Sequence, residues 1–287
     1  MKLWIAGARP RTLGAALAPV VVGTAAAYQD SGSMVWWRAG AALVVALAMQ
    51  VGVNYANDYS DGVRGTDRER KGPVRLTATG LKSPAAVRNA AAISFGVAAI
   101  TGLALAVAVD LRLLVVGALA IAAAVLYTGG PKPYGYSGFG EVSVLVFFGF
   151  VATAGSAYVQ HAYVPAAGWW GSLVVGLLAC AILLANNIRD VPTDRETGKR
   201  TLAVRIGADR AARLYAACVA GSYLAIVAIG VSVPWALLGL VTAPLAVRPV
   251  RVVWTRRDPP SLVAALVATS RLEILTALAL ATGLVVS

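Results

Sequence analysis

Asn54, Asn57, Asp58 and Asp61 stand at i, i+3, i+4 and i+7, the spacing of one helical face. Further along, Asn186, Asp190 and Asp194 recur every fourth residue, with Asn187 beside them. Seven of the thirteen acids fall in these two windows: Asp58, Asp61, Asp67 and Glu69 in the first, Asp190, Asp194 and Glu196 in the second. Carboxylates gathered in this way repel one another unless a cation lies between them. Hard oxygen donors suit magnesium, which commonly takes one or two carboxylates together with substrate phosphate oxygens. Basic residues interleave with both clusters: Arg64, Lys71 and Arg75 with the first, Arg189, Lys199 and Arg200 with the second. Such groups suit the phosphates themselves. The plainer alternative is a pair of solvated helix ends carrying ordinary loop charges. The same Asn-x-x-x-Asp spacing in both windows, Asn57 to Asp61 and Asn186 to Asp190, favours one shared site.

The elements that must carry these residues are apolar. The chain of 287 residues is 59% hydrophobic and only 13% charged, with a mean hydropathy of +0.73. Soluble domains carry nearer a quarter charged residues, and a spanning helix needs about 20 apolar ones. The expected fold is an all-α integral membrane protein, a bundle of about nine transmembrane helices in one domain covering residues 1–287. The spans fall near 13–28, 39–59, 87–109, 113–127, 141–159, 169–190, 211–231, 235–253 and 262–286. Two longer polar connections, 60–86 and 191–210, follow the second and sixth spans, so both acidic windows lie at span ends on one side. Most Lys and Arg residues lie in the connections after even-numbered spans, and only Arg38 and Arg112 lie on the other side. By the positive-inside rule both acidic windows face the cytoplasm, in a multi-pass protein of the cell membrane. Pro192 removes a backbone donor, so the sixth helix is expected to kink or unwind before Asp194.

Several chemistries are excluded or disfavoured. The net charge of +12 is a topology signal, and with no soluble basic domain there is no nucleic-acid partner. His161 is the only histidine and falls in an outer connection, which rules out a histidine triad or a histidine metal site. Cys180 and Cys218 lie singly inside spans, as packing residues do. No G-x-x-x-x-G-K-S/T loop is present for nucleotide phosphates. A cation-coupled transporter is the rival from another class, because intramembrane acids often mark ion paths. Its acids would sit near the bilayer midplane, whereas these sit at span ends. Arg271 and Glu273 lie inside the last span at i and i+2, so they do not face each other.

Five stretches carry a family resemblance: "RPRTLGAALAPVVVGTA", "QVGVNYANDYSDGVRGTD", "RKGPVRLTATG", "YTGGPKPYGYSGFGEVSVLVFFG" and "NNIRDVPTDRETGKRTLAVRIG". The chain resembles the intramembrane aromatic prenyltransferases of the UbiA superfamily, and most closely the branch that prenylates 1,4-dihydroxy-2-naphthoate. The resemblance implies a polyprenyl diphosphate donor, an aromatic acceptor and Mg²⁺ held by Asn57, Asp61, Asp190 and Asp194, with Asp58 in support. It implies that Lys132 reaches the diphosphate while Tyr134 and Tyr136 shield an allylic cation. Acceptors such as 4-hydroxybenzoate or homogentisate use the same diphosphate machinery, so the acids do not choose among them. The superfamily's first motif is Asn-Asp-x-x-Asp-x-x-x-Asp; here Gly65 takes the last place and the next acid is Asp67, whose role as a ligand is thereby in question.

Overall fold

The computed structural model describes residues 1–65, 75–256 and 258–287, and Asp67 and Lys71 lie outside them. Helices account for almost all of the described chain. They are α1 (Lys2–Ala8), α2 (Gly14–Ser31), α3 (Trp36–Arg64), α4 (Pro84–Ala108) and α5 (Arg112–Thr128). Next come α6 (Gly140–Val144), a π-helical segment (Leu145–Ala154) and α7 (Gly155–His161), which form one continuous rod. They are followed by α8 (Ala166–Glu196), α9 (Leu202–Ile206), α10 (Ala208–Ser232), α11 (Ala243–Thr255) and α12 (Pro259–Val285).

In a bilayer every backbone polar group must be satisfied within the chain, which is why apolar runs of this length become helices. Among the described residues, seven helical rods are long and apolar enough to cross a membrane. They are Trp36–Arg64, Pro84–Ala108, Gly140–His161, Ala166–Glu196, Ala208–Ser232, Pro234–Thr255 and Pro259–Val285. The protein is therefore a multi-pass membrane protein. Helix α2, of 18 residues, and α5, of 17, fall outside that set, although they follow the spans expected at 13–28 and 113–127. The ends are set by local chemistry. Ser83 Oγ accepts from Ala86 N at the start of α4, and Asp258 caps α12 through Ser261 N. Gly32 and Gly65 close α2 and α3 with φ of 67° and 74°, a left-handed conformation that favours glycine.

Helix α8 is the central element: 67% of its most apolar stretch is buried, against 28% for α3 and α4. It packs on α10, α12 and the π-helical segment, while α3 packs mainly on α4. Val22, Val174, Leu184, Tyr215, Ile226 and Leu280 form the main core. Tyr55, Leu76, Val87 and Phe95 form a smaller one beneath the first acidic window. Where α8 crosses the π-helical segment, two glycines meet: a Cβ on Gly149 would lie 3.0 Å from the Gly176 Cα and 2.8 Å from the Ser172 carbonyl oxygen. Small residues at such a crossing let two backbones approach, the usual basis of helix packing in lipid. Outward-facing Ile93, Ile100, Val107 and Leu224 are exposed, as lipid-facing residues should be.

The end of the bundle remote from the acids is tied by its own polar groups. The Arg38 guanidinium donates to the carbonyls of Val159 at 3.2 Å, Gln160 at 2.8 Å and Ala108 at 3.3 Å. Tyr158 donates to Asp110 at 2.6 Å, and this bond, with one from the Arg112 backbone, holds the Asp110 carboxyl below its ordinary value. His161 sits here against Ser31 at 2.8 Å. Arg38 and Asp61 are separated by 23 residues of α3, roughly 35 Å of helix.

Two expectations change. Helix α8 runs as α-helix through Pro192 to Glu196, so the chain does not unwind before Asp194. Thr193 Oγ1 bonds back to the Asp190 carbonyl at 3.0 Å and supports that turn. The end of the second span also moves: α3 continues past residue 59 to Arg64, so Asp61 lies within the helix, in keeping with its i+7 spacing from Asn54.

Candidate active site

The last turns of α3 and α8 lie at the same end of the bundle, together with the turn after α5 and the segment after α8. Their contacts converge on Asp61, which is 3% exposed. The Tyr136 phenol donates to Asp61 Oδ1. Lys199 Nζ lies 3.6 Å from Oδ1 and an Arg75 guanidinium nitrogen 3.7 Å from Oδ2. Tyr136 is itself flanked by cations, with Lys199 Nζ 4.6 Å and the Arg64 guanidinium 5.6 Å from its ring centre. Backbone bonds hold this arrangement: Arg200 N donates to the Tyr136 carbonyl at 2.9 Å, and Arg64 donates to the carbonyls of Thr128 and Gly130. The first window, the Gly/Pro-rich turn and the lysine that follows the second window thus meet at one carboxylate.

The second window is organised around Asp190. Arg189 Nε lies 2.7 Å from Oδ1 and a second Arg189 nitrogen 2.8 Å from Oδ2, a two-pronged pair inside the motif. The same guanidinium bonds Asn186 Oδ1 at 2.9 Å. Asp194 accepts from Thr201 Oγ1 at 3.4 Å and is 8% exposed. Asn57 Oδ1 accepts from Thr128 Oγ1 at 2.8 Å.

Other expected site residues are engaged elsewhere. Asn54 donates to the Ala8 carbonyl at 2.9 Å and to Thr12 Oγ1 at 3.1 Å, tying α3 to the N-terminal segment. Asp58 accepts from the backbone amides of Leu76 and Thr77. Tyr134 donates to the Ala123 carbonyl at 2.8 Å and stands edge-on to Tyr127, and burial raises its phenol above the ordinary value. Of the two tyrosines, Tyr136 is the one that reaches the acidic cluster. Lys132 and Arg200 have exposed side chains on the rim.

Glu141 was not anticipated as part of this region. It is 6% exposed, and its Oε1 accepts from Asn187 Nδ2 at 2.9 Å. Asn187 is therefore turned towards α6 and away from the Asp190 cluster. The available signal was an acid opening the apolar run "GEVSVLVFFG".

The donor set consists of buried carboxylates and amide oxygens, with no histidine or thiolate, which fits a hard divalent cation. Among the described residues no three acids converge tightly enough to hold a metal by themselves. Magnesium does not need such a cage, because phosphate oxygens and water fill its shell when only one or two carboxylates bind it. The residues present therefore fit a metal that arrives together with a phosphate-bearing ligand.

Residues 16–285 match the UbiA prenyltransferase family. The chain is 48% identical over 281 residues to 1,4-dihydroxy-2-naphthoate octaprenyltransferase of Mycobacterium tuberculosis, covering 98% of this chain and 96% of that protein. It is 38% identical over 302 residues to the Escherichia coli protein of the same name, covering 99% and 95%. Among solved structures, the apo form of a UbiA homologue from Aeropyrum pernix superposes with a TM-score of 0.71 at 15% identity, over 97% of this chain and 98% of that one. A UbiA homologue from Archaeoglobus fulgidus bound to GPP and Mg²⁺ gives 0.64 at 16% identity, over 97% and 99%. At those identities the solved structures establish a common fold, and the sequence match runs almost end to end. This chain belongs to the UbiA prenyltransferase family.

Proposed function

We propose that this protein transfers a polyprenyl group from polyprenyl diphosphate to 1,4-dihydroxy-2-naphthoate, releasing diphosphate and carbon dioxide. The product is demethylmenaquinol, the reduced form of demethylmenaquinone, in menaquinone biosynthesis. The observation that carries this reading is the near full-length identity of 48% to a protein of that activity. The buried acid and cation cluster around Asp61 supports it.

Asn57, Asp61, Asp190 and Asp194 would hold Mg²⁺, which supplies positive charge to the leaving diphosphate. Arg75 and Lys199 line the same carboxylate and neutralise phosphate oxygens from fixed positions. Arg64, Lys132 and Arg200 form the outer basic rim, and Arg189 holds the Asp190 carboxylate in orientation. Lys71, which the sequence groups with these phosphate-binding residues, lies outside the described residues. The Tyr136 ring faces two cations and is positioned to flank an allylic cation as diphosphate departs. The acceptor ring carbon that bears the carboxylate forms the new bond to the prenyl carbon. Loss of carbon dioxide then returns the bonding pair to the ring, so no proton need leave that carbon.

In this reading the chain is one prenyltransferase domain of nine spans, α2 and α5 being the two short ones. The active-site end faces the cytoplasm, where the basic connections lie, in the cell membrane. The test is to incubate purified protein with Mg²⁺, a polyprenyl diphosphate and a panel of aromatic acids, and to analyse the products by mass. Prenylated naphthoquinol and carbon dioxide should appear in equal amounts. A product that keeps the acceptor's carboxylate would assign the chain to a 4-hydroxybenzoate-type acceptor instead.

A further inference from the structure

We propose that Asp58 is a positioning residue, which clamps the returning chain at Leu76–Thr77 and so holds Arg75 against Asp61. This rests on the reading of Asp61 and Arg75 as part of the diphosphate site. Asp58 is the second residue of the first acidic motif, and Asp61 in that motif faces Arg75, Lys199 and Tyr136. The Asp58 carboxylate does not. Oδ2 accepts from Leu76 N at 2.7 Å and Oδ1 from Thr77 N at 2.9 Å, and the residue is 0% exposed. Both oxygens are occupied by backbone donors, which takes this carboxylate out of competition for a metal.

The clamped segment is a compact turn. Thr79 N bonds the Arg75 carbonyl at 3.1 Å, Gly80 N the Thr77 carbonyl at 3.1 Å, and Lys82 N the Leu76 carbonyl at 3.0 Å. Leu76 is fully buried beneath α1, where a Cβ on Gly7 would approach its Cδ1 to 2.6 Å. Thr77 lies against Gly62, one residue beyond Asp61, and a Cβ there would come within 2.6 Å of the Thr77 side chain. Arg75 is the residue next to this anchored pair, with its guanidinium 3.7 Å from Asp61. Asp58 and Asp61 lie on adjoining turns of α3. One acid therefore fixes the backbone whose cation the other acid receives.

The test compares Asp58→Asn and Gly62→Ala with the parent, each as full-length protein, and measures turnover against polyprenyl diphosphate and against Mg²⁺. Asn keeps one acceptor and turns an amide donor towards a backbone N–H. Gly62→Ala displaces the same turn while altering no ionisable group. Both should raise KM for the diphosphate roughly tenfold, with a smaller fall in kcat and a half-saturating Mg²⁺ concentration unchanged within twofold. Adding Arg75→Gln to either should cost little more than Arg75→Gln alone, because the clamp acts through that side chain. A half-saturating Mg²⁺ concentration raised tenfold by Asp58→Asn, with Gly62→Ala normal, would make Asp58 a metal ligand and overturn the proposal. Fully multiplicative defects with Arg75→Gln would reduce the clamp to general stability and overturn it as well. If Asp58→Asn does not fold, the Gly62→Ala and Arg75→Gln cycle decides alone. Loss of turnover in Asp61→Asn alongside normal kinetics in Asp58→Asn would sink this inference and leave the site reading standing. Normal turnover in Asp61→Asn would sink the site reading itself.

Discussion

Replacing Asp61 by Asn removes one charge from the centre of the cluster and keeps an oxygen for the Tyr136 phenol. Two cations face this carboxylate, Lys199 at 3.6 Å and Arg75 at 3.7 Å. At an effective dielectric constant of ~20 each attraction is about 4–5 kcal/mol before desolvation is counted. Breaking a buried pair by deleting one partner typically costs about 3–5 kcal/mol net, because the other charge stays buried. Here two cations would be left facing each other as well. Asp61→Asn should therefore melt several degrees below the parent in detergent. That outcome differs from the one expected of a bare acidic cluster, in which deleting a carboxylate relieves repulsion and raises the melting temperature in chelator. Turnover should fall roughly a thousandfold, which is about 4 kcal/mol at 1.36 kcal/mol per decade. The assay is the initial rate of prenylated product, followed by mass at saturating Mg²⁺ and donor, with melting followed in parallel. Turnover within a few fold of the parent would show that these are solvated helix-end charges after all. An unchanged melting temperature would refute the ion-pair account even if activity were lost.

Asp190→Asn should also lose most activity, and the double variant with Asp61→Asn should lose far less than the product of the two defects, since both act on one donor-binding assembly; independent, multiplying losses would argue for separate sites. Single cysteines at the exposed Thr79 and Thr197 should react with an impermeant thiol reagent only from the cytoplasmic face of the membrane; labelling from outside would invert the orientation. At the remote end, the Tyr158 bond keeps Asp110 below the ordinary 3.8. Because the folded value is the lower one, this contribution to stability is complete above about pH 4 and is lost as pH falls through the folded value. Melting profiles between pH 5 and pH 3 should therefore show an acid-sensitive component that Asp110→Asn abolishes.

The helices were legible because lipid demands long apolar runs, and the two windows were legible because seven acids are conspicuous in so greasy a chain. Spacing carried less information within a window. Asn54, Asn57, Asp58 and Asp61 share a helical face by periodicity, yet each finds a different partner. Asn54 goes to Ala8 and Thr12, Asn57 to Thr128, Asp58 to the Leu76–Thr77 amides and Asp61 to Tyr136 and two cations. A helical face is an arc of about 100° or more, wide enough to touch α1, the returning turn and the Gly/Pro-rich segment at once. Which residue meets which neighbour depends on tertiary placement that no local pattern encodes. The same holds for Asn187, which periodicity groups with Asp190 and packing assigns to Glu141. Glu273 is the converse case: it is 1% exposed, with no hydrogen-bond partner for either oxygen among the described residues, and neither its spacing nor its surroundings account for an acid there.

The meeting of Gly149 with Gly176 has a mechanical consequence. Two backbones in direct contact, with no side chain between them, fix the angle at which α8 crosses the π-helical segment. Asp190 lies 14 residues beyond Gly176, roughly 21 Å along the helix. A change of ~5° in that angle would move the carboxylate by ~2 Å, about the length of a bond from magnesium to oxygen. A methyl group added at this crossing, where the facing backbone leaves no room for it, would therefore be felt a full 14 residues away.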